Sequence, residues 1–342
     1  MLASQFAAVD AEPTLHRVSA KTLREWCAPE VILAVTSLDD EMVILPHVIQ
    51  QARQSHAKIV LAHVVAPPKA VSVHHKPFIR PKDRLQEARV TVDRMARQLR
   101  WLGFTCDPLV LIGNPETEIP LIARNYCAGR AIITLDHHRE LERTRTTALA
   151  EQLLPELDIP TCVIGRHASL ASRGGLLTRN VTLAVSLDSD CDVPLAFACR
   201  FAQELRAKLT ILHVSGGGSD PAAVTPMAIA SWFPRPTWRE AELFCPAEII
   251  IHEGDAAEGI LKHAASTEQD FMILCSPGAS SPGLDWKASV THKVVARAQC
   301  PVVVLQKQPC SNRENRLDAA VAAKVSAFGE SVEDDTRNVH IA

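Results

Sequence analysis

The chain has 342 residues, 47% of them hydrophobic and 22% charged, with a formal net charge of −3. That length suits two domains, each able to bury its own core, and the near-neutral balance offers no broad basic field for nucleic acid or an acidic membrane. The longest apolar runs are strand-sized, and Asp10 and Glu12 stand where a signal peptide would be apolar, so neither a membrane span nor a secreted protein is expected. The ten cysteines form no CxxC, and several fall in strand-like or helix-like runs; reduced core thiols in a cytoplasmic protein are expected, and a metal site is not.

Residues 1–28 read as an extension in which Leu15, Val18, Leu23 and Trp26 share one face of a short helix lying against the first domain. A first unit then spans 29–166. Apolar and β-branched runs predict strands at Val31–Thr36, Lys58–Val65, Leu109–Ile112, Ala131–Leu135 and Thr161–Ile164. Helix-like spacing predicts helices from Asp39-Asp40 to about Gln54, with Pro46 as an irregularity, over Asp83–Leu102 up to Gly103, over Glu116–Tyr126, and from Thr147 to Leu154. A Pro-rich loop at 66–82 carries His74-His75. Residues 167–177, with Gly174-Gly175, form a linker.

A second unit spans 178–307. Strands are predicted at Val181–Ser186, Leu209–Val214, Glu248–His252, Phe271–Leu274 and Val302–Leu305, with helices at Asp192–Leu205, at Ala256–Ala265 and after Ser289. The long helix of the first unit is replaced here by a stretch broken at Pro234 and Pro236, and the tail, 308–342, is polar. Strands alternating with helices predict a parallel sheet covered on both faces.

The two units are copies. The Ala-Val-Thr ending at Thr36 and the Ala-Val-Ser ending at Ser186 lie 150 residues apart, as do His63-Val64 and His213-Val214. Gly113-Asn114 and Gly254-Asp255 lie 141 apart, as do Pro160 and Pro301. Two constant offsets, held at four anchors, describe one unit repeated, its second copy shortened by nine residues in the middle.

On these features, each unit resembles a universal stress protein domain and the chain a tandem universal stress protein. The carrying residues are the first strands Val-Ile-Leu-Ala-Val and Val-Thr-Leu-Ala-Val, the second strands ending His-Val, the Gly-Asn-Pro-Glu-Thr-Glu-Ile and Gly-Asp-Ala-Ala-Glu-Gly-Ile turns, and the closing Pro-Thr-Cys-Val-Ile and Pro-Val-Val-Val-Leu. The resemblance implies an α/β fold of two flavodoxin-like domains in tandem, each a doubly wound, five-stranded, mainly parallel sheet. It also implies intramolecular pairing of the domains through Thr161–Ile164 and Val302–Leu305, and allows a homodimer of the whole chain.

Nucleotide-binding members of the family carry Gly-x-x-Gly, nine residues, then Gly-Ser or Gly-Thr, where bare backbone approaches the phosphates and a hydroxyl adds a donor. In the second unit these positions are Cys275, Gly278, Ala288 and Ser289; the middle glycine and the serine are kept. In the first they are Thr134, His137, Thr147 and Ala148, with no glycine. The family's first-strand aspartate falls on Thr36 and Ser186, with Asp39 and Asp188 nearby but out of register. The resemblance therefore implies a degenerate site in the first domain. In the second it leaves room for weak binding of ATP, another adenine nucleotide or an anion, at Ser186, Val214, Gly254, Cys275, Gly278, Ala288 and Ser289. The plainer reading of the same loop is a Gly-Pro turn joining a strand to a helix.

Other features read as structure. Asp136-His137-His138 resembles a metallophosphoesterase tripeptide but lacks partner aspartates at other strand ends. His74 and His75 are adjacent and, in an extended segment, point apart. Trp232, Phe233 and Trp238 read as cover for a core left open by the broken helix, Arg143 and Arg145 as a charged turn, and Cys275 as a buried thiol. With no catalytic constellation in the sequence, the expected function is non-enzymatic and regulatory, acting in a stress response through an unidentified protein partner. A slow ATP hydrolase and a purely structural scaffold stay open as alternatives.

Overall fold

The computed structural model describes residues 26, 28–66, 81–134, 152–165, 167–168, 180–186, 192–216, 247–267, 269–276 and 289–306. The expectations about His74-His75, Asp136-His137-His138, Arg143 and Arg145, the aromatic segment around Trp232, and the tail lie outside the described residues. So do those about the extension apart from Trp26 and Ala28, and about most of the linker.

The first five strands are β1 (Val31–Val35), β2 (Lys58–Val65), β3 (Cys106–Ile112), β4 (Arg130–Thr134) and β5 (Thr161–Ile164). Between them run α1 (Glu41–Ser55), α2 (Pro81–Trp101) and α3 (Pro115–Asn125). The second half supplies β6 (Asn180–Val185), α4 (Asp192–Leu205), β7 (Lys208–Ser215), β8 (Ala247–Glu253), α5 (Ala256–Ser266), β9 (Phe271–Ser276), α6 (Val290–Arg297) and β10 (Val302–Gln306). Two details differ from the sequence expectation. The third strand begins at Cys106, three residues before Leu109, because Pro108 lies on the sheet's outermost strand, where a missing N–H is tolerated. Helix α1 runs on through Pro46 without ending there.

All ten strands form one sheet, in the order β3-β2-β1-β4-β5-β10-β9-β6-β7-β8. Read from either edge inward, each half follows the same order: third, second, first, fourth, fifth. Neighbours run parallel except at the join, where β10 lies antiparallel to β5 with Val302 opposite Val163 and Val304 opposite Thr161. The β-branched runs are buried on both faces, as a parallel sheet covered by helices requires.

The repeat extends to single bonds. His56 and Arg206, 150 apart, both end their helices with φ of 54°. One residue on, the Ala57 and Ala207 amides donate to the Ala52 and Ala202 carbonyls. His63 and His213 both donate from Nδ1 near the end of the first strand of their half, to Thr36 O at 2.7 Å and, one repeat position earlier, to Val185 O at 3.1 Å. On the outer strands, the Lys58–Asp107 pair matches Lys208–Glu248.

Packing differs between the two faces. On one, α3 covers the first half with Ile119 and Ile122, and α5 and α6 cover the second with Ile260, Val294 and Val295. On the other, α1, α2 and α4 share a single apolar core running from Met95 and Leu99 through Trp26 and Ile44 to Phe197, Phe201 and Phe271. The two halves thus repeat one order of strands and share one sheet and one core face.

Candidate functional site

In sheets of this order, the first and fourth strands are neighbours whose connections leave in opposite directions, and the gap beyond their carboxyl ends is where such folds receive ligands. The chain has two such points, at β1/β4 and β6/β9.

At β6/β9 the register pairs Ala184 with Leu274, bringing Ser186 and Cys275 to the same rim. Cys275, expected to be buried, is only half-buried there, because it stands at the strand end rather than inside the sheet. The start of α6 adjoins this rim. Ser289 has an extended backbone (φ −67°, ψ 148°), and its hydroxyl oxygen accepts from the His292 amide at 3.1 Å, capping the helix. Thr291 donates to the Cys275 carbonyl at 3.4 Å and so fastens the first turn of α6 to the end of β9. The amides of Val290 and Thr291 have no partner within the helix, and the helix dipole makes that end attractive to an anion.

The two outer residues of the expected site lie along the same rim. Val214 stands near the end of β7, with its side chain turned against α5: a Cβ on Gly259 would stand 2.9 Å from Val214 Cγ1. Gly254 makes the turn from β8 into α5 with φ of +127°, a conformation that excludes most side chains, and its amide donates to Ser215 O at 3.0 Å. Asp255 then caps α5 by accepting from the Glu258 amide. Ser186, Val214, Gly254, Cys275 and Ser289 are all placed at this rim; Gly278 and Ala288 lie outside the described residues.

The β1/β4 point is arranged differently. Asp40, only 1% exposed, precedes α1 but does not cap it with its side chain. Its carboxylate instead accepts from Thr36 Oγ1 at 2.6 Å and, through the other oxygen, from Thr134 Oγ1. Thr36 directly follows the first strand and Thr134 ends the fourth, so the carboxylate bridges the gap between their carboxyl ends. The Thr36 hydroxyl also accepts from the Leu38 amide, where Leu38 sits at φ of 75°. Sequence reasoning missed this bridge. The available signal was that Asp40 and Asp190 stand 150 apart in the two copies, whereas Thr134 is matched by Cys275, which cannot replace its hydroxyl.

Thiol chemistry has little support in the interior. Burial pushes Cys162 up to about 12 and Cys106 up to about 11. Among the described residues, no group of three or more His, Cys, Asp or Glu side chains is placed to hold a metal ion, and no helix is long and apolar enough to cross a membrane.

Residues 178–306 match the family model described as Universal stress protein family. A universal stress protein from Archaeoglobus fulgidus DSM 4304 superposes with a TM-score of 0.63 at 17% identity, covering 83% of this chain and 98% of that one. The chain has the universal stress protein fold. A functionally unknown protein from Pseudomonas aeruginosa PAO1 has a TM-score of 0.58 at 16% identity, covering 84% of this chain and 96% of that one. No curated protein sequence matches the chain. Because the structural matches span most of the chain, the universal stress protein fold extends over both halves, while the matched family stretch is the second half.

Proposed function

We propose that this chain is a non-enzymatic regulatory protein that binds one adenine nucleotide, at the β6/β9 rim of its second half, while its first half is a structural partner. The observation that carries this reading is the contrast between the two strand-order reversals. One is bridged by the Asp40 carboxylate across Thr36 and Thr134. The other gathers Ser186, Cys275 and the capped start of α6 at Ser289. A carboxylate fixed in the first gap repels a phosphate by charge and by volume, whereas the described residues of the second rim offer the first amides of α6 and the Ser289 hydroxyl.

In this reading Ser289 and the α6 amides hold a phosphate, and Gly278 and Ala288 belong to the same expected site. Ser186 and Gly254 border the remainder of the nucleotide, and Val214 contributes only backbone because its side chain is committed to α5. The pairing of β5 with β10 makes the two halves one body, so a ligand in the second half acts on a surface that includes the first.

Isothermal titration of the intact chain with ATP, ADP and AMP tests the assignment, repeated with Gly278→Trp and Ser289→Ala. One nucleotide per chain is expected, lost with Gly278→Trp and weakened with Ser289→Ala. Two per chain, or binding untouched by both substitutions, would place the site elsewhere. No heat with any nucleotide would leave a partner-binding scaffold as the function, and steady phosphate release from ATP would make the chain an enzyme.

A further inference from the structure

The shared core face joins the two halves through side chains at equivalent positions that are chemically opposite. His47 and Phe197 are 150 residues apart, as are Gln51 and Phe201; Arg130 and Phe271 are 141 apart. These are the repeat's own offsets, so three positions of one unit are polar in the first half and aromatic in the second.

The structure brings the two trios together. The Arg130 guanidinium, 1% exposed, lies 5.0 Å from the ring centre of Phe201 and 5.7 Å from that of Phe197. His47 meets Phe271 edge-on at 6.1 Å, and Phe271 meets Phe201 in the same manner at 5.3 Å. Arg130 also donates to Gln51 Oε1 at 3.3 Å and to the Trp26 carbonyl at 2.9 Å. Its carboxylate partner is Glu204, at 3.8 Å, on α4 of the second half. The residue matching Glu204 in the first half is Gln54, which is neutral.

We propose that this face is a pairing surface for unlike halves: the first half, with His47, Gln51 and Arg130, accepts a second half, with Phe197, Phe201, Phe271 and Glu204, and refuses another first half. Were two first halves joined about the same axis, each buried guanidinium would face His47, Gln51 and the neutral Gln54 of the other, with neither a phenyl face nor a carboxylate. A buried cation stripped of its partners is strongly disfavoured, whereas an aromatic face receives it well. Two second halves would bury apolar rings acceptably but would leave Glu204 without its cation from the other side. The chemistry therefore favours the mixed pair twice over and specifies a pair formed within the chain rather than between like halves of two chains.

The test begins from the folded full chain carrying a specific protease site in place of Gly174-Gly175. After cleavage, the nicked protein is unfolded in urea, refolded by dilution and weighed by native mass spectrometry. Mixed pairs alone are expected for the wild type. With Arg130→Met and Glu204→Gln together, the charge that enforces sorting is gone, and pairs of two first halves are expected to appear as the halves assort at random. Random assortment in the wild type, or strict sorting in the double variant, would overturn the proposal. A second measurement needs no refolding. In the intact chain at pH 8, Glu204→Gln is expected to raise Tm more when Arg130→Met is also present than when Arg130 is kept, because the carboxylate then keeps only the half-exposed Arg200 of its own helix, at 3.9 Å. An equal shift in both backgrounds would mean that Arg130 does not recognise Glu204 and would overturn the proposal independently.

Discussion

Glu204 and His47, on helices that share one core, pull stability in opposite directions with pH. Burial raises Glu204 from its ordinary 4.5 to about 7, with Arg130 and Arg200 opposing the shift, and burial lowers His47 from 6.5 to about 4. For Glu204, the folded chain keeps a proton that the unfolded chain has released, so its contribution is fully present below pH 4.5 and lost as pH rises through 7. For His47, the unfolded chain binds a proton that the folded chain refuses, so stability is present above 6.5 and lost as pH falls through 4. At about 1.4 kcal/mol per unit of pKa, each effect is roughly 3 kcal/mol, and between pH 4.5 and 6.5 they largely cancel. Urea unfolding followed by circular dichroism, from pH 4.5 to 8, should therefore show a wild-type profile flatter than those of its variants. Glu204→Gln should match the wild type near pH 4.5 and exceed it by roughly 3 kcal/mol at pH 8. His47→Gln should lose the rise between pH 4 and 6.5 and show the downward slope of Glu204 alone. Three parallel profiles would refute the assignment of these two groups as the buried titrating pair.

Asp40→Ala removes the carboxylate to which the buried Thr36 and the half-buried Thr134 hydroxyls donate, leaving Thr36 only the weak Met95 sulfur, and should lower unfolding stability by about 1–3 kcal/mol, measured in urea, with Asp40→Asn losing less. Gly259→Val drives a side chain into Val214 and should destabilise by about 1–3 kcal/mol, a loss partly recovered by adding Val214→Ala; calorimetry of the single and double variants separates the two outcomes. Ser289→Ala removes the hydroxyl that caps α6 and should cost about 1 kcal/mol in thermal unfolding without ligand, whereas Ser289→Thr should not.

The strands themselves were legible because they are short β-branched runs in a repeat whose offsets survive single substitutions; their order in the sheet was not, because no local pattern says which strands are neighbours. Val31–Val35 and Asn180–Val185, or His63 and His213, are read by pattern alone, and the structure puts them in matching places. Pro108 hid the first half of β3, since a proline argues against a strand until the strand is known to be outermost. Of the candidate rim, Ser186, Val214, Gly254, Cys275 and Ser289 are residues the family resemblance implies; periodicity by itself locates only the strand ends beside them. Asp40 was not legible, because a carboxylate before a helix reads as a cap and nothing local says that it turns toward Thr134, 94 residues away. Arg130 was hidden for a similar reason. A charged residue opening a strand looks like a solvated end, and nothing local shows that Gln51, Trp26, Phe197, Phe201 and Glu204 gather around it.

The lone antiparallel junction between β5 and β10 also fixes where the two halves point. Strands within a half run the same way, so reversing direction at the join sends the gap beyond β1 and β4 and the gap beyond β6 and β9 to opposite borders of the sheet. Strands of this size are on the order of 17 Å long, at about 3.3 Å per residue. One loop therefore cannot close over both gaps, and one small molecule cannot bridge them. A single small ligand can therefore occupy only one of the two gaps, and each half's gap is a separate site to test.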